Sequence, residues 1–273
     1  MSALVFLGGG RITTALVASL RRAGYRGGIV VHDRHRQKLR RLAREFGVVP
    51  EADLDRALAA AGLLLIAVRP ASVRDLLARI EKNSRQSKRG KTALRPIVAV
   101  SLAAGVPLAT LRGYLGPRAQ WARAMPSPVC RSGWGLTALA FDRSVPQRTR
   151  KMILRLFARV GDVFVIPEKQ FDAFTVTYSS SHGFHALATL ADAAEKLGLP
   201  RKVALAAAAH ALADGIVAWR QHAEPLGALI TEAATPGGTA AAVMAAMDAR
   251  GYPRLVERAL AAGIPRARSR GGE

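Results

Sequence analysis

The sequence predicts an α/β fold, a doubly wound sheet of mainly parallel strands, followed by an all-helical domain. Up to residue 166, short apolar runs alternate with amphipathic helical patterns, which is typical of such sheets. Beyond that point the chain shows only Ala-rich helical patterns, punctuated by proline and glycine. We therefore expect an α/β domain over residues 1–166, a helical domain over 167–265 and a basic tail over 266–273.

The elements follow in order along the chain. Strands are predicted at Ala3–Leu7, Ile29–Val31, Gly62–Val68, Pro96–Ser101, Trp121–Ala124, Leu136–Phe141 and Asp162–Ile166. Helices between them are predicted at Ile12–Leu20, Gln37–Phe46, Asp53–Ala61, Ser72–Ile80, Pro107–Leu115 and Gln147–Val160, and Asn83–Arg95 reads as a polar loop. The second domain is expected to hold helices at Phe171–Leu197, Arg201–His222, Pro225–Ala233, Gly238–Arg250 and Pro253–Gly263.

The first strand turns into the first helix through three glycines, Gly8 to Gly10. Such a turn leaves backbone N–H groups at the positive end of the helix dipole, which suits a diphosphate. With Arg11 and Ile12 opening the helix, the pattern predicts a dinucleotide site. Thr13 stands where a third glycine is usual, and its branched side chain is bulkier than that packing prefers.

The end of the second strand bears on the choice of cofactor. Asp33 lies near the spacing of a carboxylate that bonds a ribose 2′-hydroxyl, as in NAD sites. Arg34 and Arg36 suit the 2′-phosphate of NADP instead. We predict NADP and keep NAD as the alternative, and a solvated helix start is compatible with either.

Three later strands end in irregular segments of small residues. Ligands of doubly wound folds bind outside the carboxyl ends of the strands, so these segments predict a nicotinamide cleft. The residues assigned to it are Ala67, Val68, Arg69, Pro70, Ala103, Ala104 and Gly105, with Met125 and Pro126 on the substrate side. Far downstream, Thr235–Thr239 (TPGGT) opens another helix and predicts a second anion site.

Composition limits the other function classes. The chain has 273 residues and a formal net charge of +22, which raises the possibility of nucleic-acid binding. Its basic residues are scattered and aromatic residues make up 5%, so we expect no specific nucleic-acid partner. We expect no membrane span, no signal peptide and no metal site; the lone Cys130 excludes an internal disulfide and favours the cytoplasm.

The Ala-rich helices suggest how the chain assembles. Segments such as Ala204–Ala213 carry side chains too small to build a thick core within one chain. Small residues let helices of two subunits approach closely, so we expect a homodimer or higher homo-oligomer. A bundle closed within one chain is the alternative.

Taken together, these motifs resemble the pyrroline-5-carboxylate reductase family, from Leu4 to about Ala262. The likeness rests on the AVRP, SLAAGV and RAMP strand ends, on LADAAEKLGLP at 190–200 and on TPGGT at 235–239. The resemblance implies a Rossmann domain followed by a helical dimerisation domain, with NAD(P)H reducing a cyclic imino acid. It further implies that the substrate carboxylate binds at the TPGGT turn, across the dimer.

The resemblance also carries over the substrate residues, with departures. It implies substrate contacts at Gly237, Gly238, Thr239 and Ala240, and we add Ser179 and Ser180 as substrate-binding candidates on the chemistry of their hydroxyl groups. The family has threonine where Ala240 stands and glutamate where Ala188 stands. After Met-Pro it has Asn-Thr-Pro, where this chain has Ser127-Pro128, one residue shorter, and its Ser-Gly-Ser-Gly-Pro-like turn is replaced here by Thr177 to His182. We assign the catalytic hydroxyl to Thr235 or Thr239. Reduction of another cyclic imine, or a diverged nucleotide-binding protein without activity, are the alternatives.

Overall fold

The computed structural model describes residues 3–86, 97–133, 135–221 and 224–269. It divides the chain into two compact units. The first comprises residues 1–178 together with 263–273, and the second comprises residues 179–262. The sequence places its domain boundary at 166/167, twelve residues earlier than the division between the compact units.

The first unit is built on one eight-stranded sheet. Its strands are β1 (Ala3–Leu7), β2 (Ile29–His32), β3 (Val49–Glu51), β4 (Ala61–Ile66), β5 (Ile97–Ser101), β6 (Ala119–Pro126), β7 (Gly135–Phe141) and β8 (Gly161–Val165). The spatial order is β3-β2-β1-β4-β5-β6-β7-β8, and every pair is parallel except β6 with β7. The predicted doubly wound architecture is confirmed.

Helices cover both faces of this sheet. They are α1 (Arg11–Arg22), α2 (Arg36–Phe46), α3 (Leu54–Ala59), α4 (Val73–Gln86), α5 (Leu108–Leu115), α6 (Gln147–Phe157) and α7 (Phe171–Thr177). The core residues of α1, α2 and α6 pack on one face, with Phe6 and Leu65 of the sheet. Those of α3, α4, α5 and α7 pack on the other, with Leu64 and Trp121. Because the strands alternate their side chains, central strands covered on both faces are almost wholly apolar.

The second unit is helical throughout its described residues. It contains α8 (Ser180–Lys196), α9 (Arg201–Gln221), α10 (Leu226–Ala233), α11 (Thr239–Ala249) and the first part of α12 (Tyr252–Ser269). Helices α8 and α9 pack against each other through buried alanines, Ala191 on α8 and Ala204 and Ala208 on α9. Large apolar side chains on other faces of the same helices are exposed, namely Phe184 on α8 and Ile216 and Trp219 on α9. A bundle closed within one chain would have buried them.

The structure corrects several predicted elements. The short edge strand β3 was not predicted, since three residues carry too little periodicity. The helix predicted over Phe171–Leu197 is two helices, because Ser179 caps a fresh start: its hydroxyl accepts a hydrogen bond from the Ser181 N–H. The tail from Arg266 is helical as far as Ser269, as the end of α12.

Two further expectations concern the loop Asn83–Arg95 and the absence of a membrane-spanning segment. Within the predicted loop Asn83–Arg95, residues 83–86 belong to α4 and residues 87–95 lie outside the described part of the chain. Helix α9 is long and apolar enough to cross a membrane by length and composition, whereas the sequence predicts no segment of that kind. Its low polarity comes from alanine, which equally suits a helix packed between subunits.

Candidate functional site

The turn between β1 and α1 lies tight against the end of β4. The Gly8 N–H donates to the His32 carbonyl oxygen at 2.7 Å, and the Ala67 N–H donates to the Leu7 carbonyl oxygen at 2.8 Å. Gly8 has φ +113°, and a Cβ there would lie 2.6 Å from the Ala67 carbonyl oxygen. Only glycine fits this close approach, which brings the predicted residues Gly8 and Ala67 together.

Thr13 occupies the third glycine position without disturbing the turn. Its side chain is fully buried, and its hydroxyl donates to the Gly8 carbonyl oxygen at 2.5 Å. The hydroxyl therefore satisfies a carbonyl of the strained turn, which a methyl group could not do. The branched side chain of Thr13, which the sequence predicts to be too bulky for this position, is accommodated through this bond.

The amino end of α1 is open where a diphosphate would lie. Gly10 is the N-cap residue, it makes no side-chain capping bond, and a Cβ built on it would meet no described atom within 4 Å. The first N–H groups of a helix lack internal acceptors, and the helix dipole favours an anion there. The turn thus fits the diphosphate of a dinucleotide, for which the backbone at Gly10, Arg11 and Ile12 is the predicted site.

Asp33 is held inside the turn by several donors. The Gly9 N–H donates to its Oδ2 at 2.8 Å, and the His35 N–H donates to its Oδ1 at 2.8 Å. The His35 Nδ1 lies 2.9 Å from Oδ1, and the Lys38 Nζ lies 3.8 Å from Oδ2. Burial raises the pKa of Asp33, but the bonds from His35 and Gly9 outweigh it and hold the pKa below its usual value. The carboxylate therefore stays ionised and is already compensated within the chain.

The two arginines beside Asp33 face water. Arg34 and Arg36 are both exposed, and Arg36 is the first residue of α2. Neither guanidinium is engaged by a described carboxylate in an ion pair. They are therefore available to an anion arriving at the carboxyl end of β2.

The predicted strand exits assemble along one edge of the sheet. Since β1, β4, β5 and β6 are parallel neighbours, their carboxyl ends adjoin. The Leu102 N–H donates to the Ile66 carbonyl oxygen at 2.9 Å and ties the β4 and β5 exits together. This edge brings together the predicted cofactor residues of the first unit, namely Gly8, Gly10, Arg11, Ile12, Asp33, Arg34, Ala67, Val68, Arg69, Pro70, Ala103, Ala104 and Gly105. Met125 and Pro126 end β6 at the same edge.

Two charged residues at this edge are not predicted by the motifs. Arg123 lies within the RAMP segment and is 3% exposed, and its terminal nitrogen bonds Glu168 Oε1 at 3.0 Å. The signal for it was present: a basic residue interrupts the apolar run Trp121–Ala124. For Glu168, which precedes α7 in a 3₁₀ turn, the sequence offers no comparable signal.

The remaining predicted residues lie in the second unit. Gly237 has φ +77°, and the Gly238 N–H closes the turn on the Thr235 carbonyl oxygen at 2.9 Å. Gly238 is the N-cap residue of α11 and makes no side-chain capping bond. A Cβ at Gly238 would lie 3.0 Å from the Thr235 hydroxyl oxygen, so that hydroxyl lies beside the open helix end. The turn fits a carboxylate.

The hydroxyl groups of this unit lie at two helix starts. Thr239 and Ala240 are the first residues of α11, and both are exposed. Ser179 caps α8, its hydroxyl 2.7 Å from that of Ser181, and Ser180 begins the helix. Within the described ranges, no three His, Cys, Asp or Glu side chains are grouped to hold a metal ion.

Comparison with known proteins agrees with this geometry. Residues 168–270 match the family model for pyrroline-5-carboxylate reductase dimerisation, and residues 3–90 match that for coenzyme F420-dependent NADP oxidoreductases. Pyrroline-5-carboxylate reductase of Mycobacterium leprae is 30% identical over 96% of this chain and 94% of its own length. That of Thermus thermophilus is 35% identical over 78% of this chain and 77% of its own length.

Solved structures extend the likeness to the whole fold. A pyrroline-5-carboxylate reductase from Coxiella burnetii aligns with a TM-score of 0.87 at 23% identity, covering 100% of this chain and 99% of that one. A pyrroline carboxylate reductase from Plasmodium falciparum, solved with NADP bound, aligns with a TM-score of 0.82 at 17% identity, covering 99% and 98%.

Proposed function

The chain belongs to the pyrroline-5-carboxylate reductase family, and we propose that it reduces 1-pyrroline-5-carboxylate to L-proline, with NADPH as the preferred hydride donor. The observation that carries the proposal is the open amino end of α1 at Gly10, beside the β4, β5 and β6 exits. Family membership also supports a homo-oligomeric enzyme, and we propose a homodimer in the cytoplasm.

The chemistry asks little of the protein beyond binding and alignment. When bound, the nicotinamide supplies a hydride to the imine carbon, and the protonated ring nitrogen keeps its proton to become the secondary amine of the product. The backbone at Gly10, Arg11 and Ile12 binds the diphosphate, and Ala103–Gly105 holds the ring in place. The turn at Gly237 and Gly238 binds the substrate carboxylate. Thr235 or Thr239 places a hydroxyl at the ring nitrogen, and Ser179 and Ser180 are further candidates for this contact.

The activity is tested by NADPH oxidation with purified protein over five- and six-membered cyclic imino acids. We expect turnover of the five-membered substrate and formation of proline as the product. Turnover of a six-membered imine alone would assign a different substrate to the same site. If NADPH binds but no imine is reduced, the protein is a diverged, non-catalytic nucleotide-binding member of the family. The observation that supports this alternative is Ala240, which stands where the family has threonine.

The proposed preference for NADPH is supported by the residues at the end of β2. Asp33 directs its carboxylate to Gly9 and His35, so its charge is largely compensated. Arg34 and Arg36 are exposed and suit the 2′-phosphate, which NADH lacks.

Cofactor titration tests this preference. In Arg34→Ala and Arg36→Ala we expect the Kd of NADPH to rise about tenfold, the loss of one charge-assisted contact, and that of NADH to stay nearly constant. Arg40→Ala, an exposed arginine further along α2, is the matched control and should change neither constant. Unchanged NADPH affinity in both arginine variants would remove them from the phosphate site.

A further inference from the structure

A buried arginine on β6 lies next to the segment that follows β5. Arg123 is 3% exposed, and its guanidinium carbon lies 4.6 Å from the centre of the Phe171 ring. One terminal nitrogen bonds Glu168, whereas its Nε and other terminal nitrogen have no hydrogen-bond partner among the described residues. Burying donors in this way costs free energy, so the arginine is poorly explained by stability alone.

Glu168 links this arginine to the start of α5. Its Oε1 accepts the Leu108 N–H at 2.6 Å as well as the Arg123 bond at 3.0 Å. Leu108 is the first residue of α5, so the carboxylate caps a helix end whose N–H groups lack internal partners. Through one oxygen atom, Glu168 joins β6, α7 and α5.

The segment between β5 and α5 is thereby held at its far end. At its near end, the Ala103 N–H donates to the Ser101 hydroxyl oxygen at 3.3 Å. In its middle, Gly105 has φ +73°, and a Cβ there would overlap the Ala267 carbonyl oxygen of α12. Two hydrogen bonds, at Ala103 and Leu108, and the close approach of Gly105 to α12 thus fix this segment. All three contacts lie within the first unit, along the predicted nicotinamide-binding residues Ala103–Gly105.

We propose that Arg123 and Glu168 are positioning residues. They fix the backbone of Ala103–Gly105 in the position that aligns the nicotinamide ring. In this role neither residue contacts the reacting atoms. Arg123 orients the Glu168 carboxylate, and Glu168 sets the end of the segment through Leu108. This inference rests on the proposed function in that Ala103–Gly105 is taken to face the nicotinamide.

The test separates positioning from a role in stability only. In Glu168→Ala we expect kcat to fall about tenfold with the KM of the imine within about twofold, because misalignment affects the hydride step rather than substrate capture. The emission of bound NADPH, which reports the surroundings of the nicotinamide, should shift toward that of the free cofactor. Glu168→Gln keeps an acceptor for Leu108, so it should recover most of the activity, to within about threefold of wild type.

Glu45→Ala is the matched control, since Glu45 forms an exposed ion pair with Arg131. It should leave kcat and NADPH emission unchanged. A folded Glu168→Ala protein with a lower melting temperature but wild-type kcat and emission would overturn the proposal. Should that variant not fold, Glu168→Met takes its place, since it keeps the length of the side chain but offers no oxygen acceptor to Leu108 or Arg123. Wild-type kcat and emission in a folded Glu168→Met protein would overturn the proposal equally.

The two proposals fail in distinguishable ways. If the wild-type protein shifts NADPH emission but reduces no cyclic imine, the proposed function is wrong. The emission measurement on Glu168→Ala and Glu45→Ala then still decides the positioning role.

Discussion

Cys130 is a packing residue whose thiol should be inert. The side chain is fully buried, and burial raises the pKa of the Cys130 thiol to about 11, although Arg22 acts to lower it. At pH 8 only about one thiol in a thousand is then ionised, and only the thiolate reacts. We predict that the native protein reacts with a thiol-specific disulfide reagent at least 100-fold more slowly, on the order of the thiolate deficit, than the denatured chain. Prompt labelling of one thiol per native chain would contradict this.

Ala240 is a departure from the family pattern within the proposed substrate site. It is exposed in the first turn of α11, where a threonine would offer a hydroxyl to the substrate nitrogen. A hydrogen bond to a charged group contributes about 1.5–3 kcal/mol, so we predict that Ala240→Thr raises kcat/KM by roughly tenfold to a hundredfold.

Ala242→Thr is the control for that substitution. It is exposed on the same helix, about 200° further round the axis, and should leave kcat/KM unchanged. Equal kinetics for both variants and the wild type would show that another hydroxyl, with Thr235 the first candidate, already serves the nitrogen.

At the residue scale, the role of a residue could be predicted when it depends on neighbours in the sequence and not when it depends on distant residues. The glycines of the β1–α1 turn could be read because a tight turn demands them next to the helix they open. The partners of Asp33 could not, because its bond to the Gly9 N–H spans 24 residues and depends on the approach of β2 to the turn. Glu168 escaped notice for the same reason, since its bond to Leu108 spans 60 residues.

At the element scale, the β1–α1 turn depends on Gly8 for space as well as for its backbone angle. In Gly8→Ala the new Cβ would lie 2.6 Å from the Ala67 carbonyl oxygen, at φ +113°. We predict a loss of about 2–4 kcal/mol in the free energy of unfolding, with NADPH binding lost as well.

Gly24→Ala isolates the steric part of that loss. Gly24 also has a positive φ, +74°, but a Cβ there meets no described atom within 4 Å. This variant should lose only about 1–2 kcal/mol, the cost of the left-handed conformation. Urea denaturation measures both, and equal losses would refute the role of the close approach to Ala67.

The turn from β7 to α6 depends on one buried carboxylate. Asp142 is 4% exposed, bonds Arg112 and accepts the Ser144 N–H at 3.0 Å. Burial raises the pKa of Asp142, but the bonds from Ser144 and Arg112 outweigh it and lower the pKa overall. A lowered native pKa stabilises the fold above the unfolded pKa, near 4, and this stabilisation is lost as the pH falls through the native pKa.

We therefore predict that Asp142→Asn loses about 1–3 kcal/mol in the free energy of unfolding at pH 7, the scale of a hydrogen bond to a charged group. Denaturation at a series of pH values measures the difference from wild type. That difference should shrink as the pH falls from about 4, the pKa of the unfolded carboxyl, down through the lowered native pKa. A difference independent of pH would exclude the ionised side chain as its source.

The elements themselves were predictable where periodicity is long. Central strands such as β4 and long helices such as α9 carry repeated patterns. Errors fell at short or locally capped elements, since β3 has three residues and the break between α7 and α8 depends on the Ser179 hydroxyl. Pro265 likewise does not end α12, which continues to Ser269.

At the scale of the whole molecule, alternation of strands and helices predicted the sheet, but the strand order required the structure. The antiparallel pairing of β6 with β7 has no sequence signal beyond the short connection between them. The alanine content of the helices predicted a homo-oligomer, which the family's dimerisation domain supports. The structure adds that large apolar side chains of the second unit, such as Val217 (50%) and Trp219 (45%), are exposed within one chain.

These exposed side chains indicate where the subunits associate. Burying an apolar side chain the size of valine contributes about 1.5–3 kcal/mol, so a charge at such a position should weaken association by roughly tenfold to a hundredfold. We predict a wild-type mass of a dimer or larger by sedimentation, against 29.0 kDa for one chain, and a monomer for the double variant Leu205→Glu/Val217→Glu. Val49→Glu, an equally exposed valine on β3 of the first unit, should assemble as wild type.

The same variants show which functions require assembly. The nucleotide turn lies entirely in the first unit, so the monomeric double variant should bind NADPH with unchanged affinity. If the substrate site is shared across the dimer, the monomer should lose imine reduction at the same time. A monomeric wild-type protein with full activity would refute both the assembly and the shared site, whereas a monomeric variant that still reduces the imine would refute only the shared site.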